Sequence, residues 1–169
     1  LTAVSPMLVG TLLPALGAAR STARQMQSST QARGIGAGCV LFLQSSPNNP
    51  PDIAQLLLDA YISAEYALSP LSRKQVPEDF NRWSNDQKAQ WIRQNASYIV
   101  VTKGMKDSSD PRMIFVFERP EDSGSETIAV CWADNSVTRE SPEVVNEILI
   151  KQTGLNMQQL TQMQEQGKR

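Results

Sequence analysis

There is no histidine among the 169 residues, which removes the commonest general base, the usual proton shuttle and the commonest zinc ligand together. Hydrolase triads in their usual form are therefore excluded. Cys39 and Cys131 are the remaining strong nucleophiles. Cys39 lies in a helical run of small and apolar residues and Cys131 in an apolar strand, places where a thiol acts as a compact hydrophobe rather than as an activated thiolate. Catalytic cysteine is disfavoured on that ground, and whether the two thiols form one bridge stays open. Gly34-x-Gly-x-Gly38 copies part of a dinucleotide loop. It sits inside a helical pattern instead of between a strand and a helix, so close helix packing explains it better.

Carboxylates are the other chemistry on offer. Asp107-Ser-Ser-Asp110 falls in a loop between two strands, and Glu118, Glu121, Asp122 and Asp134 fall near strand ends. Hard oxygen donors brought together in this way suit Ca²⁺, which makes Asp107, Asp110, Asp122 and Asp134 the metal candidates. The spacing is not that of an EF-hand, and Asp and Ser are ordinary turn residues, so a solvated turn is the competing reading of 107–110. Asn95-Ala-Ser97 matches the glycosylation pattern and is read as chance. No catalytic or cofactor-binding residue emerges, and the chain reads as a non-enzyme.

Charge is distributed unevenly. Arg20, Arg24 and Arg33 are the only charges before Asp52; the other 13 of the 16 basic residues, set against all 17 acidic ones, leave the remainder at −4. A mildly acidic body without a basic stripe disfavours nucleic acid as a partner.

The elements that would position these groups begin with one long helix. From Pro6 to Leu43 there is no acidic residue, and Leu13, Leu16, Ala19, Ala23, Met26, Ile35, Cys39 and Phe42 recur near one helical face. Ser45-Ser-Pro-Asn-Asn-Pro-Pro51 ends it. Asp52 is placed to cap a short helix over 53–61, and a second short helix is expected over 84–93, with Trp91 and Ile92 facing the core. Three β-branched and aromatic runs, 97–102, 112–118 and 127–133, read as strands. Their gaps are too short for crossover helices, which predicts an antiparallel meander, with Val137-Thr138 as a short fourth strand. Ser141-Pro-Glu143 opens a helix that Gly154 stops. The fold class expected is α+β: a long N-terminal helix packed on a small antiparallel sheet with short helices. It divides into an apolar helix and stalk over 1–45, a globular head over 46–154, and a Gln- and Met-rich polar tail over 155–169 that reads most readily as a mobile terminus, with a frayed amphipathic helix or a partner-binding tail as the alternatives.

Leu1 to Ala19 carry no charge, and a polar run opening at Arg20 follows directly. An uncharged stretch of about 20 residues matches the hydrocarbon core of a bilayer, but Pro6, Gly10, Pro14 and Gly17 interrupt this one. It reads best as a helix that packs against other helices. A signal peptide is the rival reading, against which Leu1 has no basic region before it.

Leu12-Leu-Pro-Ala-Leu16-Gly-Ala-Ala-Arg20-Ser-Thr-Ala-Arg24-Gln resembles the distal part of the N-terminal helix of bacterial type IV pilin-like proteins and type II secretion pseudopilins. Phe117-Glu-Arg-Pro-Glu-Asp-Ser-Gly124, Ile128-Ala-Val-Cys-Trp-Ala-Asp134 and Ser141-Pro-Glu143 resemble the ending of a pilin-like branch abundant in planctomycetes. The likeness covers roughly residues 7–45 and 95–150. It departs from the family where that ending has a His before an Asp-Gly pair, since Gly124 and Asp134-Asn135 stand there, and where mature pilins have a methylated Phe and a fifth-position Glu, since Leu1 and Ser5 stand there. Pro14 also comes several residues early. Either an N-terminal part is missing or the anchor is a divergent, shortened one.

The resemblance implies a structural subunit of a pilus-like or pseudopilus filament, held at the bacterial inner membrane through its N-terminal helix before assembly and part of an extracytoplasmic or cell-surface filament afterwards. Its partners would be other copies of itself, with other pilins or secretion-system components beside them. Gly10, Leu12, Leu13, Pro14, Leu16 and Gly17 would form the assembly interface, with Pro14 at a bend or a locally unwound turn. Calcium is the one cofactor implied, since some pseudopilins bind it. The alternative is a membrane-tethered extracytoplasmic binding module that forms no filament.

Overall fold

The computed structural model describes residues 6–107 and 109–168, with side chains from Pro14 onward. Helix α1, Pro6–Ser45, is 40 residues long, about 60 Å at 1.5 Å per residue. It runs unbroken through Pro14; a proline removes one hydrogen bond of the ladder without having to end the helix. Ser28, Gln31, Ala32, Ile35, Cys39, Phe42 and Leu43 form its buried stripe, spaced three and four apart. Met26, expected on that face, is 68% exposed, because burial on α1 begins only at Ser28. Among the described residues no helix is long and apolar enough to cross a membrane.

Two short helices follow. Asp52 Oδ1 accepts the Gln55 N–H at 2.7 Å and caps α2, Ile53–Leu58. That helix stops three residues short of the expected Tyr61, since Ala60 turns the backbone at φ 61°. A 3₁₀ turn at Phe80–Arg82 leads into α3, Asn85–Asn95, which Ser84 and Gln87 close with a reciprocal capping box. Ile92 is fully buried, while Trp91 is partly buried and packs its ring 5.1 Å from that of Phe80.

The sheet is a four-stranded antiparallel meander in the order β1 (Tyr98–Val100), β2 (Ile114–Glu118), β3 (Ile128–Trp132), β4 (Val137–Glu140). A four-residue helix, α4 (Pro120–Ser123), fills the β2–β3 connection. Alternation assigns each strand residue to a face. Tyr98, Val100, Phe115, Ala129 and Cys131 pack towards α1. Ile99, Ile114, Phe117, Ile128 and Val130 pack towards α5 (Pro142–Thr153) and α6 (Met157–Glu165). Register shifts between Ile114 and Val116, where consecutive Phe115 and Val116 both join the α1 side, the mark of a β-bulge. The molecule is thus three layers deep, with α1 on one side of the sheet and the C-terminal helices on the other.

Within the stretch read most readily as a mobile tail, Met157–Glu165 form α6, the amphipathic helix that was one of the alternatives. Asn156 and Gln159 make a second capping box, and Met157, Leu160 and Gln164 are buried. The Gln164 amide accepts the Val100 N–H at 3.0 Å and donates to the Tyr98 carbonyl at 3.1 Å. It thereby occupies the outer edge of β1, which would otherwise offer unpaired backbone groups to another chain. Arg119, 4% exposed, donates to Glu165 at 2.7 Å and fastens the end of the same helix.

Candidate assembly surface

Residues 14–24 of α1 are exposed throughout, and the first buried residue of the described helix is Ser28. This arm projects from the head over roughly 20 Å. Within it Leu16 is 51% exposed, Pro14 is exposed, and nothing lies within 4 Å of where a Cβ would sit on Gly17. Of the expected interface residues these three are therefore unpartnered in a single copy. Gly10, Leu12 and Leu13 belong to the same helix, but their side chains lie outside the described residues, as do Leu1 and Ser5.

Where the arm enters the head, a buried polar clasp holds it. Glu118, the last residue of β2, is fully buried. Its Oε1 accepts from Ser28 Oγ at 2.6 Å and from Ser69 Oγ at 2.7 Å, and its Oε2 accepts the Ala129 N–H at 3.0 Å. Arg139 Nη2 stands 3.6 Å from Oε2. Tyr98 completes the group, its hydroxyl donating to Gln31 Oε1 at 3.0 Å and lying 3.0 Å from Ser28 Oγ. A buried carboxylate is tolerated when it is hydrogen-bonded and charge-compensated in this way. The clasp joins α1, all four strands and the 59–84 connection at one point. Sequence reasoning missed it, although Ser28 and Gln31 interrupting an otherwise apolar stripe, and Glu118 closing the apolar run Ile114-Phe-Val-Phe117, were its traces.

Glycines fit α1 closely to the head. A Cβ on Gly36 would run into Cys131 Sγ, and one on Gly34 would come within 2.5 Å of the Tyr66 hydroxyl. Helix packing, not phosphate binding, is thus what the Gly34-x-Gly-x-Gly38 run serves.

The carboxylates proposed for calcium do not converge. Asp110 pairs with its neighbour Arg112 at 3.2 Å, and the hydrogen bonds from Arg112 hold its carboxyl below the usual range. Asp122 pairs with Lys74 at 2.6 Å. Asp134 accepts from the Ser136 backbone and hydroxyl in the β3–β4 turn, and those bonds lower its pKa. Asp107 is exposed in the β1–β2 loop. Glu118 is committed to the clasp, and Glu121 lies 3.7 Å from Arg119. Among the described residues no three His, Cys, Asp or Glu side chains form a group that could hold a metal ion. Millimolar Ca²⁺ is accordingly expected to leave the melting temperature where a chelator leaves it, since a ligand of the folded state must raise it; a calcium-dependent rise in a thermal scan would overturn this.

A cleft of about 730 Å³ opens between the start of β2, the end of β3 and α5, with Met113, Trp132 and Ile148 as its apolar lining and Arg112, Lys151 and Gln152 among its polar lining. Asp110, its one carboxylate, is the group already held by Arg112.

Cys39 and Cys131 are both buried and free in this structure. Burial pushes the Cys131 thiol up to about 12, against a lowering pull from Arg33, and burial also raises Cys39. Burial likewise raises the Tyr98 phenol, outweighing the hydrogen bond it shares with Ser28. In each case the folded state keeps its proton longer than the unfolded chain. The stability contributed is complete below the unfolded thiol value of about 8.5 and declines as pH rises above it. Urea midpoints should therefore fall steadily from about pH 9 upward, and thiol reagents should label both cysteines only after unfolding; rapid labelling of the native protein would contradict the burial.

No family model matches the chain, and no curated protein or solved structure matches it.

Proposed function

We propose that this chain is a structural subunit of a pilus-like or pseudopilus filament, assembled through its N-terminal helix. The observation that carries the proposal is the exposed arm: residues 14–24 extend beyond the head with Leu16 uncovered. A helix this exposed gains nothing from tertiary packing, which is the main source of helix stability in proteins. Burial among other copies would supply what the head does not. The three-layer head would then form the outer surface, rigidly oriented on the arm by the clasp.

The arm and the head are different surfaces, so a contact between them is heterologous, and heterologous contacts that do not close into a ring generate an open helical polymer. The route that goes with this reading is residence at the bacterial inner membrane before assembly and in an extracytoplasmic or cell-surface filament afterwards, with other pilins or secretion-system components as further partners. Neither catalysis nor a bound cofactor has a part in it. Sedimentation and electron microscopy of the intact, lipid-free protein test it directly: filaments or concentration-dependent oligomers are expected. Monomers alone at every concentration under native conditions would sink it.

A further inference from the structure

The arm presents Leu16, Arg20 and Arg24, all exposed and one helical turn apart. The outer face of α5 presents a matching set in the opposite sign. Glu143, Val144, Glu147, Ile150 and Lys151 are exposed there, with Val144 at 45% and Ile150 at 46%. Neither arginine and neither glutamate takes part in an ion pair among the described residues. Large aliphatic side chains flanked by unpaired charge on two helices are what a helix–helix contact buries and neutralises.

We infer that the occupant of the α5 outer face is the arm of a second copy of this chain, lying antiparallel to α5 with Leu16 against Ile150, Arg20 against Glu147 and Arg24 against Glu143. The direction follows from the order of charge. Read from its C-terminal end, α5 runs Ile150, Glu147, Glu143, while the arm runs Leu16, Arg20, Arg24; the two lists agree only when the helices oppose. Antiparallel docking also sets Lys151 beside the uncharged Leu16 end, whereas parallel docking would bring it towards Arg24 and like charge. The contact is necessarily between copies, because α1 packs on one face of the sheet and α5 on the other. Each copy then offers one arm and one α5 face, so the contact can repeat from copy to copy and extends without limit where it does not close on itself. This rests on the self-assembly reading and names the surface that receives the arm.

The test combines cross-linking with charge reversal in the full chain. Full-length Ala23→Cys and Val144→Cys proteins, separately tagged and mixed, are treated with a bifunctional maleimide; the native thiols are buried and do not compete. A heterodimeric cross-link joining the two positions is expected. Arg20→Glu with Arg24→Glu should raise the critical concentration for assembly about tenfold or more, since like charges then face each other, and Glu143→Arg with Glu147→Arg in the same chain should restore it. Assembly without the cross-link, or reversal without rescue, overturns the α5 assignment and leaves self-assembly standing. Absence of both assembly and cross-link overturns both readings. Binding of the arm to phosphatidylglycerol vesicles through the two arginines, with no cross-link, assigns the arm to a lipid surface and overturns it as well.

Discussion

Replacing Glu118 with alanine is expected to cost about 3–5 kcal/mol of folding stability, the usual consequence of removing one partner from a buried, charge-compensated group. The carboxylate accepts from Ser28, Ser69 and the Ala129 amide and faces Arg139. Alanine leaves the Ser28 and Ser69 hydroxyls and the Ala129 N–H without this acceptor, and leaves Arg139, which keeps its bonds to Ser125 and Thr127, without its counter-charge. Each unsatisfied group costs about 1–3 kcal/mol, and because they share a network the losses do not simply add. Glutamine separates the parts of the effect. It keeps the shape and one acceptor oxygen, but turns an amide NH₂ towards a donor and removes the charge that compensates Arg139, so a smaller loss of about 1–3 kcal/mol is expected. Urea unfolding of both variants reads the difference as a shifted midpoint at unchanged slope. An alanine variant as stable as the parent would show that the clasp contributes nothing.

That clasp also marks the boundary of what could be read from the residues alone. The α+β architecture of a long helix and an antiparallel sheet was legible because it rests on local signals: capping residues at Asp52 and Ser141, breakers at Pro47, Pro50, Pro51 and Gly154, and the three β-branched runs. The strands came out shorter than expected: regular β1 ends at Val100, the Val101 N–H still donates to the Phe115 carbonyl at 2.8 Å, and the chain leaves the sheet at Thr102. The clasp was not legible, since it joins residues 90 positions apart in chain order and no local pattern encodes such a pairing. The calcium candidates failed for the converse reason: carboxylates clustered in sequence found separate neighbours, Arg112, Lys74 and Ser136, once the loops were placed. Ranking a mobile tail above the helix α6 has its own cause. Its buried stripe of Met157, Leu160 and Gln164 includes a glutamine, and that amide is useful only because the edge of β1 lies opposite it.

Leu16→Asp should abolish assembly while leaving the head folded. In a single copy Leu16 is half exposed and touches no part of the core, so the head loses nothing that unfolding would detect, and its urea midpoint should stay that of the parent. In an assembled arm contact the same carboxylate would be buried against aliphatic side chains, at several kcal/mol per contact. At about 1.4 kcal/mol per factor of ten, this amounts to a rise of two or more orders of magnitude in the concentration needed to assemble. Ion pairs absorb little of that cost: Asp at 16 with Arg20, one turn along the arm, returns only about 0.2–0.5 kcal/mol, and with the exposed Lys151 of the receiving α5 only about 0–1 kcal/mol. Leu16→Lys removes the ambiguity, since it has no acid within the arm to pair with, and it should fail in the same way. Leu16→Ala, which loses apolar area without burying a charge, should weaken assembly less than either. Filaments of Leu16→Asp forming at the parent's critical concentration, or Leu16 found exposed to solvent within the assembled particle, would refute burial of the arm between copies, and with it the mechanism by which this chain is proposed to polymerise.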